Sequence, residues 1–201
     1  ELLYAASTAI SGAQDLKMVL NAIMQPLAVP NLVRSALLIS NRITTTRREG
    51  ELQVAAVWDA ASSSPENGKE LAWGLPGMRL GVETLPAVHR LALAQNEVQI
   101  ISHIGQEEHF EVVTQTLIQQ LGIYSLALIP LRTPRHSEGM VGSLLLMSNR
   151  ADGLTADLLH PYQTLADQAA LAVERVQLLT QTQQRAKRLA ALNTLSTSIT
   201  A

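Results

Sequence analysis

The chain has 201 residues, is 47% apolar but only 3% aromatic, and carries a formal net charge of −2. That is one domain of ordinary size, or one domain with long flanking helices, whose core must be built from Leu, Ile, Val and Ala. No basic cluster favours nucleic acid, and the lack of cysteine removes disulfides, thiolate nucleophiles, iron–sulfur clusters and cysteine-ligated zinc.

Residues 1–28 read as helix, interrupted near Ser11-Gly12. Leu16, Val19, Leu20, Ile23 and Leu27 recur at helical spacing, Asp15 is placed to cap the second segment, and Pro26 and Pro30 close it. Two strands follow at 35–42 and 51–59, joined by a polar hairpin loop at 44–50. Alternation in the second puts Leu52, Val54, Ala56 and Trp58 on one face. Residues 60–77, rich in Ser, Pro, Gly and Asn, form a loop.

The spacing predicts a short helix over 85–95, with Thr84 as cap and Pro86 in its first turn. A short strand follows at 98–102. An amphipathic helix at 107–121 carries Phe110, Val113, Leu117 and Leu121 on one face and ends at Gly122. Strands at 124–131 and 140–148 flank a loop with Pro, Ser and Gly. Thr155 then caps a helix with no stop signal before the chain ends; residues 156–199 span roughly 65 Å at about 1.5 Å per residue.

That helix changes register. Leu158, Tyr162, Leu165, Ala169, Ala172, Val176 and Leu179 step by four and three, which suits packing on a sheet. A shifted stripe runs through Leu178, Thr182, Arg185, Leu189, Leu192, Ser196 and Ile199 on an otherwise polar segment, the pattern of a coiled-coil dimer seam after a stutter. Residues 3–10 and 192–199 match at Leu, Ser, Thr and Ile across an offset of 189 residues, which fits either chance likeness of two helices or the start of a second domain copy. The organisation is therefore an N-terminal helical segment at 1–30, a globular domain at 31–180 and a connecting coiled-coil-like helix at 181–201.

No signal peptide opens the chain, and no apolar run approaches the roughly 20 residues of a membrane span; the longest, 126–131, is strand-sized. The expectation is a soluble cytoplasmic chain without direct membrane contact. It begins at Glu1 and stops inside a helical pattern, which reads as a piece of a longer protein.

The element order resembles that of a GAF domain. The likeness is carried by Asp15-Leu16, Val19-Leu20 and Ile23, by residues 36–40, by Arg79-Leu80-Gly81-Val82 with residues 91–101, and most specifically by residues 125–131, 142–147, Leu154-Thr155 and 165–174. It covers roughly residues 1–180. The resemblance implies an α+β fold: a central antiparallel sheet of five to six strands, PAS-like, with flanking helices and long N- and C-terminal helices. It also implies a non-catalytic sensory module that binds a small molecule on the sheet face opposite the terminal helices, dimerises through those helices and relays a signal along them. The alternative is a ligand-free dimerisation spacer of the same fold. Members that attach bilins or reduce methionine sulfoxide use cysteines, and there is none here; covalent bilin attachment within this chain is excluded and the cofactor is otherwise unknown. The Asn-Lys…Phe…Asp-Glu motif of cyclic-nucleotide-binding members is absent, since residues 107–113 read Glu-Glu-His-Phe-Glu-Val-Val.

The candidate pocket residues are Trp58, His103, Phe110 and Tyr124, because aromatic and polar groups line small-molecule sites. For Phe110 and Tyr124, which fall in predicted elements, a core position is the favoured reading, and Trp73 lies in a loop, where a Trp more often covers something. No catalytic site is expected, for there is no Gly-x-Ser-x-Gly elbow or paired-carboxylate signature. His103 and His109 with Glu107 and Glu108 read as a polar loop leading into a helix rather than a metal site. Arg132, Arg135 and His136, like Arg47 and Arg48, read as solvated loop charge. Gly74, Gly77 and Gly81 are too loosely spaced for a dinucleotide loop.

Overall fold

The structure is a computed structural model. It describes residues 1–27, 29–40, 51–60, 76–81, 90, 95, 97–106, 118–133 and 140–199; of residues 140 and 193–199 only the backbone is described. Several expectations lie outside the described residues: the loops at 44–50 and 134–139, most of the loop at 60–77, and most of the helix at 85–95. The helix at 107–121 up to Leu117 lies outside them too. So do Arg47, Arg48, Trp73, Gly74, Glu107, Glu108, His109, Phe110, Arg135 and His136.

The N-terminal helical segment divides as its sequence suggests. Helix α1 spans Leu2–Gly12 and α2 spans Leu16–Leu27. Asp15 caps α2: its Oδ1 accepts the Met18 N–H at 2.7 Å, satisfying one of the free donors of the first turn. Pro26 sits inside the last turn, and the helix stops one residue later.

Six strands form one sheet, ordered β3-β2-β1-β6-β5-β4. They are β1 Leu32–Ser40, β2 Glu51–Asp59, β3 Arg79–Gly81, β4 Gln99–Ile101, β5 Ser125–Arg132 and β6 Met140–Ser148. Every described pairing is antiparallel. Strands β2 and β6 have the predicted bounds. Strand β1 begins earlier than 35, because Arg34 finds a cross-strand partner: its Nη2 lies 2.5 Å and its Nε 3.1 Å from Asp59 Oδ2. The guanidinium is thus neutralised within the strand by a residue 25 positions away.

The last helix, α3, is a single span of 44 residues, Ala156–Ile199. Thr155 caps it, with Leu158 N–H 3.4 Å from its Oγ1. Tyr162, Leu165, Ala169, Ala172 and Val176, the first register read from the sequence, are buried, whereas Leu179 at the end of that register is exposed. Together with α1 and α2 they cover one sheet face and close the larger core around Leu37, Ala127, Ile129, Leu144 and Leu146. Arg175 fastens α3 to the α1–α2 corner by donating to Ser11 O and Ala13 O, each at 2.7 Å.

Tyr162 makes the second tie. It is buried, and its hydroxyl donates to Leu27 O at 2.6 Å, satisfying a carbonyl at the end of α2. Burial pushes its pKa from 10.0 up to about 12. The folded chain therefore holds this proton more tightly than the unfolded chain, so the contribution is complete below pH 10 and is lost as the pH rises towards about 12. Tyr162→Phe should cost about 1 kcal/mol at neutral pH, and urea denaturation on either side of that window should show a smaller alkaline loss in the variant than in the wild type.

Candidate functional site

Strand alternation divides the sheet into two faces. Opposite the helices lies a second, smaller core of Ala36, Leu38, Leu52, Val54, Ile101, Leu126, Leu128, Leu145 and Met147 from the strands, joined by Ile104, Ile118 and Ile123 from outside them. The pairing register arranges this floor in rows across the strands. One row runs Asp59, Arg34, Met147, Leu126, Ile101; the next runs Val57, Ala36, Leu145, Leu128, Gln99; the third runs Val54, Leu38, Ser143, Pro130.

A bulge decides which residues reach this floor. Leu37 pairs with Ala56 but Leu38 pairs with Val54, so Ala55 is extra in β2. Leu52 and Val54 precede it and face the smaller core; Ala56 and Trp58 follow it and face the helices. The expectation that all four share one face is therefore corrected, because one inserted residue flips every later side chain in the strand.

The four candidate pocket residues are not assembled by the described structure. Trp58 packs against the helix-side core. Tyr124 is 45% exposed just before β5. His103 lies beyond β4 with its Nε2 3.3 Å from Asp152 Oδ2, and both side chains are well exposed. Phe110 lies outside the described residues. The inserted Ala55 turns Trp58 to the helix-covered face, and Tyr124, one residue before β5, stays nearly half exposed.

Two polar features of the floor were not anticipated. The first is the Arg34–Asp59 pair, with side chains 20% and 27% exposed. The second is Ser143, fully buried in the middle of β6, whose Oγ has no hydrogen-bond partner among the described residues. Leaving a buried hydroxyl unpaired costs roughly 1–3 kcal/mol. The available signal was a single hydroxyl inside the apolar run 141–147.

One end of the sheet is tightly laced to the start of α3. Asn31 Nδ2 donates to Gly153 O at 2.7 Å, Asn149 N–H donates to Asn31 O, and Ser125 Oγ donates to Arg150 O at 2.7 Å. Asp152, at φ 54°, donates its N–H to Ser102 O. The segment bordering the smaller core at Ile101 and Ile104 thus contacts the loop that leads into α3. Among the described residues, no group of three or more His, Asp or Glu side chains is placed to hold a metal ion, and no helix is long and apolar enough to cross a membrane.

No protein-family model matches the sequence, and no curated protein does. Solved structures do match. The GAF domain of a phosphoenolpyruvate-protein phosphotransferase from Acinetobacter superimposes with a TM-score of 0.62 at 13% identity, covering 90% of this chain and 95% of that one. The GAF domain of a two-component sensor histidine kinase from Bacillus halodurans gives 0.61 at 17% identity, covering 84% and 99%. The fold is that of a GAF domain. The chromophore-binding domain of the bacteriophytochrome RpBphP3 from R. palustris gives 0.61 at 12% identity; this chain is 89% covered and spans 61% of that one's length. At these identities the shared property is the GAF architecture: the six-stranded antiparallel sheet, helices on one face and a long C-terminal helix. It agrees with the expectation drawn from the sequence patterns.

Proposed function

We propose that this GAF domain is a non-catalytic sensory or regulatory module of a signal-transduction protein. It binds a small molecule on the sheet face opposite α1, α2 and α3, and relays occupancy through α3. The observation that carries this reading is the two-faced sheet. One face is closed by the terminal helices, while the other holds a separate apolar core with a buried hydroxyl at Ser143 that has no partner among the described residues. Solved structures of like fold belong to a sensor histidine kinase and to phytochromes, one of the latter with phycocyanobilin bound. A thioether to a bilin within this chain is ruled out, since it has no cysteine. The lacing of Ser102 to Asp152 gives a physical route by which a change at Ile101–Ile104 reaches the first turn of α3. A ligand works through such a route only by binding one arrangement better than the other.

The module acts as a cytoplasmic homodimer joined by its terminal helices. Beyond residue 177 every described side chain of α3 is exposed, and Leu178, Leu189 and Leu192 stand 46–62% exposed along the predicted stripe. Leu171, 52% exposed, lies one heptad upstream of Leu178 and carries the stripe back along the part of α3 that packs on the sheet with its other side. On α1, Leu2 and Tyr4 are also open to solvent.

One observation favours the ligand-free spacer instead: Ile101, Ile104, Ile118 and Ile123 are each at most 3% exposed, so aliphatic side chains fill much of the second core. Native mass spectrometry separates the two readings. A small molecule retained by the folded protein and released on denaturation is expected for the sensor. A mass equal to that of the bare polypeptide in every preparation, with no small molecule stabilising the fold in a metabolite screen, supports the spacer.

A further inference from the structure

The chemistry of the floor narrows what it can hold, an inference that rests on the reading of this face as a small-molecule site. Ala36 and Leu38 of β1 pair with Leu145 and Ser143 of β6. The two small residues, Ala36 and Ser143, therefore occupy one diagonal of this central quartet and the two leucines the other. Side chains on such a diagonal are neighbours, so the floor is lowest along the line from Ala36 to Ser143. At one end of that line stands a hydroxyl that is fully buried and unpartnered among the described residues.

Among the described residues, the charges in line with this floor are already paired or open to solvent. Arg34 is held by Asp59 in the row beyond Ala36, and Arg132, at the far end of β5, is exposed to solvent. A charged group brought onto the floor would lose its water without a free counter-charge among the described residues, and buried charges without partners are strongly disfavoured. A neutral group that can donate to or accept from a hydroxyl meets no such obstacle, since a serine does both. We propose that this face takes a compact, uncharged ligand with an apolar body on the Ala36–Leu145 floor and one hydroxyl, carbonyl or amide group hydrogen-bonded to Ser143 Oγ. Ser143 is then the residue that sets specificity for a neutral polar group over an anion.

Methyl-labelled full-length chain titrated with cyclohexanol and, separately, with cyclohexanecarboxylate tests this. The two probes share a ring and differ in charge. Cyclohexanol should shift the methyl resonances of Leu38, Leu145 and Met147 saturably, and the carboxylate should leave them in place at equal concentration. Ser143→Ala should weaken cyclohexanol about fivefold, the scale of one neutral hydrogen bond. Ser35→Ala, which removes an equally buried hydroxyl, also without a partner among the described residues, from the helix-covered face, should leave the affinity unchanged and reports on folding. Binding of the carboxylate equal to or tighter than the alcohol overturns the neutral class while leaving the site itself standing. An unchanged affinity in Ser143→Ala removes Ser143 from the site. Failure of both probes to move any methyl on this face would overturn the proposal together with the reading of the face as a ligand site.

Discussion

Replacing Gly142 by valine should lower stability by roughly 3 kcal/mol or more, with alanine only slightly milder. Gly142 lies in β6, a central strand, between Ile39 of β1 and Leu131 of β5. A Cβ at this position would overlap the carbonyl oxygen of Leu38 and would stand 3.1 Å from both the Leu38 carbonyl carbon and the Ile39 Cα. All three are backbone atoms of the neighbouring strand. None can rotate aside as a side-chain terminus could, so the β1–β6 pairing itself must move, and with it both cores. For a chain of this size the cost corresponds to a fall in melting temperature of roughly 6–12 °C. Gly12 is the control: a Cβ there meets nothing within 4 Å, and Gly12→Ala should melt with the wild type. If Gly142→Ala were to melt with it too, the tight approach of β6 to β1 would be wrong.

The double variant Leu189→Asp, Leu192→Asp should convert the proposed homodimer to monomer at concentrations where the wild type is fully paired. The two leucines are 62% and 61% exposed in the single chain and lie on the part of α3 that leaves the globular domain behind. Burying a leucine is worth roughly 1.5–3 kcal/mol, and a symmetric seam contains each residue twice. Losing them, with carboxylates facing one another in their place, should weaken association by at least about 4 kcal/mol, roughly a thousandfold. Light scattering across a dilution series measures this directly. Thr182 and Arg185 occupy seam positions between the leucines, so the wild-type seam is imperfect and suited to shifting between registers. A wild type that stays monomeric at about 100 μM, where association of even 8 kcal/mol would show, would exclude the dimer. A double variant that stays dimeric would move the contact to α1 and the upstream stripe at Leu171.

Local signals and long-range pairing account for different parts of this protein. The helix boundary at Asp15, the bounds of β2 and β6, the helical turn at 118–120 that ends before Gly122 (φ 73°) and the uninterrupted α3 all follow from capping, alternation and 3.6-residue periodicity. These are interactions among residues a few positions apart, so the linear sequence contains them in full, and the resemblance to the GAF fold rested on their order. The facing of Trp58 was not contained there. It depends on the extra residue Ala55, which is visible only once β2 is laid against β1. The start of β1 at Leu32 accommodates Arg34 only once Asp59 is placed beside it, and Ser143 is one more strand residue in the sequence until the fold buries its hydroxyl without a partner among the described residues. Alternation tells which residues share a face only while the register is unbroken. The registers across this sheet, bulges included, were set by pairing between distant segments, and so the composition of the candidate site was decided by the tertiary structure alone.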